Sequence, residues 1–155
     1  MEAPDPGCTS HADLNFLLHR AAQKLGAAAQ EASHPHGITP RAQLILSALA
    51  NEPLRRTQLA LGTALGLDKT TLTAELDRLE RAGLITRDPD PTDRRVRHPA
   101  ITTAGRKLQA EVATLHTTAE NTFTANLTPE ERHLLRTLLE RLIASDPRPA
   151  TGSCL

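Results

Sequence analysis

The chain has 155 residues, 39% of them hydrophobic, and balances 18 basic against 18 acidic side chains. That is enough apolar content for a core, which excludes disorder by composition, and the length fits one domain or one domain with a dimerisation element. Two Phe are the only aromatics, so the core must be built from Leu, Ile, Val and Ala, a palette that suits helices packed on helices better than a β-sandwich.

In chain order, Met1–Ser10 contains Pro4, Pro6 and Gly7 and reads as a loose arm (1–10). It has neither the basic nor the apolar region of a secretory signal, and no apolar run in the chain reaches the length of a membrane span. From His11 to Gln30 apolar residues recur with helical period at Leu14, Leu17, Leu18, Ala21, Leu25, Ala28 and Ala29. Ser33–Gly37 (SHPHG) breaks this first helix. Thr39 as cap and Pro40 at the first helical position open a second helix to about Ala50, with Leu44, Ile45, Ala48 and Leu49 inward. A third, short helix spans Gln58–Leu65 with Thr57 as cap and Gly66 as stop. Gly62 inside it costs about 1 kcal/mol against Ala, which implies a packing reason. Asp68 caps a fourth helix, Lys69–Ala82, with Leu72, Leu76 and Leu79 inward, and Gly83 ends it.

A short strand follows at Leu84–Arg87, then a turn-rich tip at Asp88–Asp93, then a second strand between Val96 and Ile101 that Pro99 restricts to an edge or a bulge. The fifth helix begins near Thr103 and carries Leu108, Val112, Leu115, Ala119 and Phe123. Thr128-Pro129-Glu130-Glu131 is a capping box opening the sixth, whose Leu134, Leu135, Leu138, Leu139, Leu142 and Ile143 form a face too wide for one partner. After Ser145 the chain is rich in Pro and Gly. The expected fold is mainly α with a small β-wing: a winged helix-turn-helix (38–102) framed by dimerisation helices (11–37 and 103–145), with a flexible tail (146–155).

The zero net charge is unevenly spread. Leu54–Lys107 holds 11 Lys/Arg against 7 Asp/Glu, and the remainder holds 7 against 11. A basic centre on an acidic frame suits a module that binds double-stranded DNA. Within it, Gly66 permits the tight turn between the third and fourth helices, and Leu61, Leu65, Leu67 and Leu72 would cement the pair. The fourth helix then offers Lys69, Thr70, Thr71, Thr73, Ala74, Asp77 and Arg78. Thr suits base edges and phosphates, while Lys and Arg suit phosphates and guanine. The hairpin adds Arg87, Asp93, Arg94, Arg95 and Arg97, and an Arg on a narrow hairpin suits the minor groove. Asp93 is placed to orient the Arg95 guanidinium by a bidentate pair.

LGLDKTTLTAELDRLERAGLITR (Leu65–Arg87), DPDPTDRR (Asp88–Arg95) and ITTAG (Ile101–Gly105) together resemble the MarR family of transcriptional regulators. Asp93 and Arg95 match that family's D-x-R signature, and Ile101–Gly105 its entry into the helix after the wing. The resemblance implies a two-fold dimer made by the first, fifth and sixth helices, and repression relieved by a small molecule, a metal or an oxidant. Ala74 stands where many members carry a basic residue.

Leu14, Leu17, Leu134, Leu138 and Leu142 are the expected homodimer contacts. In relatives the ligand pocket lies between the dimer helices and the winged domain, so Phe16, His19 and Arg20 are candidates for a small organic acid. Cys8 and Cys154 form no disulfide framework or zinc pair, and Cys8 lacks the tyrosines and in-helix position that the resemblance to peroxide-sensing relatives would imply. His34 and His36 lie in a loop and His116 stands alone, without the helical His spacing of a zinc site. No metal and no cofactor is therefore expected, although a metal- or oxidant-sensing regulator of the same fold remains the first alternative. No nucleophile elbow, P-loop or dinucleotide fingerprint points to an enzyme. The other alternative is a winged-helix protein–protein adaptor. The setting expected is the cytoplasm, with no membrane association.

Overall fold

A computed structural model describes residues 13–51 and 56–144. The expected arm and tail, the first two residues of the first helix, Cys8 and Cys154 lie outside the described residues. The elements are α1 (Leu14–Ser33), a single 3-10 turn (His34–His36), α2 (Pro40–Asn51), α3 (Gln58–Leu65), α4 (Lys69–Arg81), β1 (Ile85–Pro89), β2 (Arg97–Ile101), α5 (Thr103–Phe123) and α6 (Pro129–Ala144). The fold is mainly helical with one two-stranded antiparallel sheet.

Local chemistry sets most of the boundaries. Thr57 accepts from the Ala60 N–H, Asp68 from Thr71, and Thr102 from Gly105, each filling one of the orphan donors of a helix start. The capping box forms in both directions: the Thr128 N–H donates to Glu131 Oε2 at 2.8 Å and the Glu131 N–H to Thr128 Oγ1 at 3.2 Å. Gly66 ends α3 in the left-handed region, with φ +62, and its N–H returns to the carbonyls of α3. Gly62 is buried, and a Cβ there would touch Leu72 Cδ2 at 3.0 Å, which supplies the packing reason for this glycine.

The main core gathers Ala42, Ile45 and Leu46 of α2, Leu61 of α3, Leu72, Leu76 and Leu79 of α4, and Ile85 of β1. Leu65 and Leu67 pack at its margin as the turn between α3 and α4 requires. At about 1.5–3 kcal/mol per buried aliphatic side chain, this cluster dominates the stability of the central unit. One expectation fails here: Leu44 is exposed, and Leu46 and Ala42 take the inward positions. α2 meets α1, α4, α5 and β2 together, so its buried face is set by four partners. Leu115, too, is exposed on α5, while Val112 is fully buried.

α1 lies along α5. The C-terminal end of α1 is pinned to α5 by Ser33, fully buried, whose Oγ is 2.8 Å from His116 Nε2. Gln43 of α2 donates to the Gln109 carbonyl at 2.9 Å, joining α2 to α5. α6 buries none of its residues.

Candidate nucleic-acid interface and ligand cleft

α4 presents Lys69, Thr70, Ala74 and Arg78 on its exposed side, with Thr71 and Thr73 half-buried. The Thr hydroxyls are not equivalent. Thr71 Oγ1 donates to Asp68 Oδ2 at 2.6 Å, so it belongs to the helix cap. That hydroxyl, followed by the Thr71 N–H, holds the Asp68 carboxyl below the usual range. Thr73 Oγ1 accepts from Gln58 Nε2 at 3.2 Å, which keeps its own proton available to donate. Arg78 lies 3.6 Å from the buried Glu75 but remains mostly exposed.

The hairpin pairs Ile85 with Ile101 through to Pro89 with Arg97. β1 therefore runs two residues beyond the expected strand and takes up part of the expected tip. Pro99 pairs opposite Arg87. A two-stranded sheet consists of edges only, so the missing N–H is tolerated. The tip is organised by Asp90. Its Oδ1 accepts from the Thr92 N–H at 2.8 Å, the Thr92 hydroxyl at 2.5 Å and the Asp93 N–H at 3.2 Å. Its Oδ2 lies 2.9 Å from His98 Nε2 on β2. The Thr92 hydroxyl first, and His98 second, hold the Asp90 carboxyl far below the usual carboxylate range.

Two expected roles change. Arg87 is no free cation: its Nε donates to Glu80 Oε2 at 2.9 Å, it forms an ion pair with the same carboxylate, and its NH2 sits 2.7 Å from Asp77 Oδ1. Glu80 raises the guanidinium further, and the Arg87 hydrogen bond lowers the Glu80 carboxyl. Arg87 is thus a brace between α4 and β1, which removes it from the candidate DNA contacts. Asp93 does not hold the Arg95 guanidinium; its Oδ1 accepts the Arg95 backbone N–H at 2.9 Å and so fixes the course of the tip. Arg94, Arg95 and Arg97 are exposed and, with Lys69, make no ion pair among the described residues.

Sequence reasoning missed Asp77, Glu80, Asp90 and His98 as organisers of this surface. The only readable signal was the acidic spacing around two cationic partners, and the pairings depend on the hairpin register.

A separate open cleft of about 600 Å³ lies between α1 and α5, lined by Phe16, Arg20, Ala21, Lys24 and Phe123. Both Phe of the chain are in it. Two of the three expected ligand residues, Phe16 and Arg20, line it, while His19 does not. Lys24 and Phe123 were not anticipated. Among the described residues no group of three His, Cys, Asp or Glu is placed to hold a metal ion, and no helix is long and apolar enough to cross a membrane.

A model of the MarR family matches residues 36–96, the span from the 3-10 turn after α1 to the residue before β2. The chain is 30% identical over 106 residues to the transcriptional regulator HosA of Escherichia coli O111:H-, covering 68% of this chain and 78% of that one. The chain belongs to the MarR family. A second relative, from Thauera aromatica, is named as a putative transcriptional regulatory protein for the hcr operon; it is 34% identical over 110 residues, with 71% of this chain and 66% of the relative's length covered. The crystal structure of a mutant MarR from E. coli, complexed with operator DNA, matches with a TM-score of 0.75 at 29% identity, covering 84% of this chain and 93% of that one. The protein is therefore a MarR-family transcriptional regulator with a winged-helix fold, and its matched relatives are regulators rather than enzymes.

Proposed function

We propose that this MarR-family protein is a homodimeric, ligand-responsive repressor that binds a pseudo-palindromic operator, with the two α4 helices in successive major grooves and the wings in the flanking minor grooves. The observation that carries the reading is the contrast among its arginines. Arg87 is neutralised inside the wing root, whereas Arg94, Arg95 and Arg97 are left exposed at the tip. Exposed guanidinium groups without a carboxylate partner, on a hairpin that follows a helix-turn-helix, suit phosphates and a narrow minor groove. Lys69 and Thr70, in the first turn of α4, suit base edges and adjacent phosphates.

Dimerisation is supported by what a single chain leaves uncovered. Leu14, Leu17 and Leu18 of α1 and Leu134, Leu135, Leu138, Leu142 and Ile143 of α6 are all exposed. A 16-residue helix with that many solvent-facing aliphatic residues gains little stability unless its apolar face is packed. A second copy of the chain is the occupant proposed, with 11–37 and 103–145 as the dimer frame and 38–102 as the DNA-binding unit. The cleft of Phe16, Phe123, Arg20 and Lys24 is the proposed effector site. Its aromatic walls and two cations fit an organic acid with an apolar body. Such a ligand acts by favouring a dimer whose α4 helices are wrongly spaced, which requires unequal affinity for the two states.

Anisotropy titration of duplexes from the DNA flanking the chain's own gene tests this. Arg95→Ala should weaken operator and scrambled duplex alike and reduce the log–log salt slope by about 0.9 per lost phosphate contact, counted in both protomers. Thr70→Ala should instead cut discrimination, by about 1–3 kcal/mol per lost base contact. Leu138→Asp should yield monomers or unfolded chain in sedimentation. Wild-type affinity from Arg95→Ala on both duplexes would remove the wing from the interface.

A further inference from the structure

We propose that His98 is the positioning residue of the wing: as an imidazolium it ties β2 both to the Asp90 turn and to the connection before α3, and the grip of the wing on DNA strengthens as the solution is acidified from about pH 8.5 to 6. The inference rests on the DNA-binding reading for its affinity readout, but not for its structural one.

His98 is the second residue of β2, with its side chain 13% exposed. Its Nε2 is 2.9 Å from Asp90 Oδ2, and its Nδ1 is 3.2 Å from the backbone carbonyl oxygen of Arg56. Neither partner can donate. A carbonyl has no proton, and the Asp90 carboxylate is kept ionised by the Thr92 hydroxyl, His98 and two backbone N–H groups. Two acceptors therefore face two ring nitrogens. A neutral imidazole carries one N–H and must turn a lone pair on one of them; the imidazolium donates to both. Deprotonation costs one of the two ties and removes the one cation paired with the Asp90 carboxylate among the described residues.

Among the described residues, the other charged groups near the ring are of both signs. Asp88 stands directly across the ladder from His98, and Arg97 precedes it on β2. Arg56 itself lies on the connection. On the remaining elements packed against β2, β1 adds Arg87, already bound by Glu80 and Asp77, α2 carries only Arg41, and α3 carries no ionisable side chain.

The functional consequence follows from chain order. Residues 91–97, between Asp90 and His98, carry Arg94, Arg95 and Arg97. The Asp90–His98 contact closes the base of this loop beside the Asp90 N–H, which donates to the Val96 carbonyl at 3.0 Å, and the Arg56 contact fixes that base to the helix-turn-helix. Losing either lets the loop swing relative to α4. An unneutralised Asp90 beside phosphates adds repulsion in the same direction.

The test uses the full-length wild type, His98→Gln and Asp90→Asn at constant ionic strength. Anisotropy titration from about pH 6 to 8.5 is run beside imidazole 15N NMR of the free proteins. Wild-type affinity should fall about tenfold over that range, the effect of one charge-assisted hydrogen bond. Both variants should bind more weakly than wild type at low pH and lack that part of the pH response, with the other histidines still present as an internal control. Asp90→Asn keeps an oxygen for the Thr92 turn, so it serves if His98→Gln fails to fold. The His98 ring should show two N–H nitrogens at pH 6 and one at high pH. Equal pH profiles in wild type and variants, or a ring with a single N–H at pH 6, would overturn the proposal. If none of the three binds DNA, the DNA-binding reading falls, and the ring nitrogens alone decide whether the tie exists.

Discussion

Gly105 and Gly62 are both buried helical glycines, and the structure predicts different outcomes for replacing them with Ala. At Gly105 an added Cβ would lie 2.1 Å from the Leu84 carbonyl oxygen and 2.8 Å from Ile101 Cγ1. The first contact is backbone, so no rotamer change relieves it. That carbonyl also accepts from the Thr102 N–H at 3.0 Å and from the Thr102 hydroxyl at 3.1 Å, which join the wing root to the start of α5. To reach normal contact α5 must move by about 1 Å. Overpacking of this kind costs about 1–3 kcal/mol, and weakening two hydrogen bonds adds about 1 kcal/mol each. The helix propensity of Ala returns about 1 kcal/mol. The net loss expected for Gly105→Ala is thus roughly 2–4 kcal/mol. At Gly62 the nearest atom is the tip of the Leu72 side chain at 3.0 Å, with the Leu67 carbonyl oxygen at 3.3 Å. A shift of a few tenths of an ångström suffices there, and the propensity gain offsets it, leaving a change within about 1 kcal/mol of zero. Urea unfolding of both variants, repeated at several protein concentrations to separate folding from association, measures the difference. A Gly105→Ala variant as stable as Gly62→Ala would refute the argument that backbone approach at the wing root requires this glycine.

Glu80→Gln should destabilise the chain by about 1 kcal/mol in urea unfolding, since Asp77 still holds Arg87, and should weaken DNA binding several-fold by loosening β1 against α4; unchanged affinity would mean the brace does not set the wing angle. Acid should act on the wing and α4 before the core. Asp90, Glu80 and Asp68 all titrate below their ordinary range in the folded chain, so the stability they supply is complete above the unfolded carboxylate range and is lost as pH falls from about 4 downward. Unfolding midpoints measured at several pH values should decline over that window, and a midpoint that rises there would contradict the assigned hydrogen bonds.

The features legible in the sequence were those that local chemistry decides. Thr57, Asp68 and Thr128 cap helices because a short polar side chain can reach an N–H three residues on, and Gly66 ends α3 because only glycine enters the left-handed region at little cost. These signals needed no knowledge of distant chain, and they located α3, α4 and the hairpin, hence the candidate DNA surface. The failures arose where a residue's fate depends on its partners. The run Leu44-Ile45-Leu46 offers helical faces of similar apolarity, and the choice fell to the elements converging on α2. Arg87 looked like one more basic side chain until the turn at Gly83 brought β1 back along α4, under Glu80 and Asp77. His98 and Asp90 can be paired only when the register is known, and reading Pro89 as turn rather than strand concealed it. The scarcity of aromatics was plain in the composition, but that Phe16 and Phe123 share one cleft is a fact of how α1 lies on α5. The same division separates the arginines of the surface. Charge alone nominated Arg87, Arg94, Arg95 and Arg97 together. What distinguishes a DNA-facing cation from a structural one is whether the fold has already supplied its carboxylate, and that is settled by tertiary contact rather than by residue type.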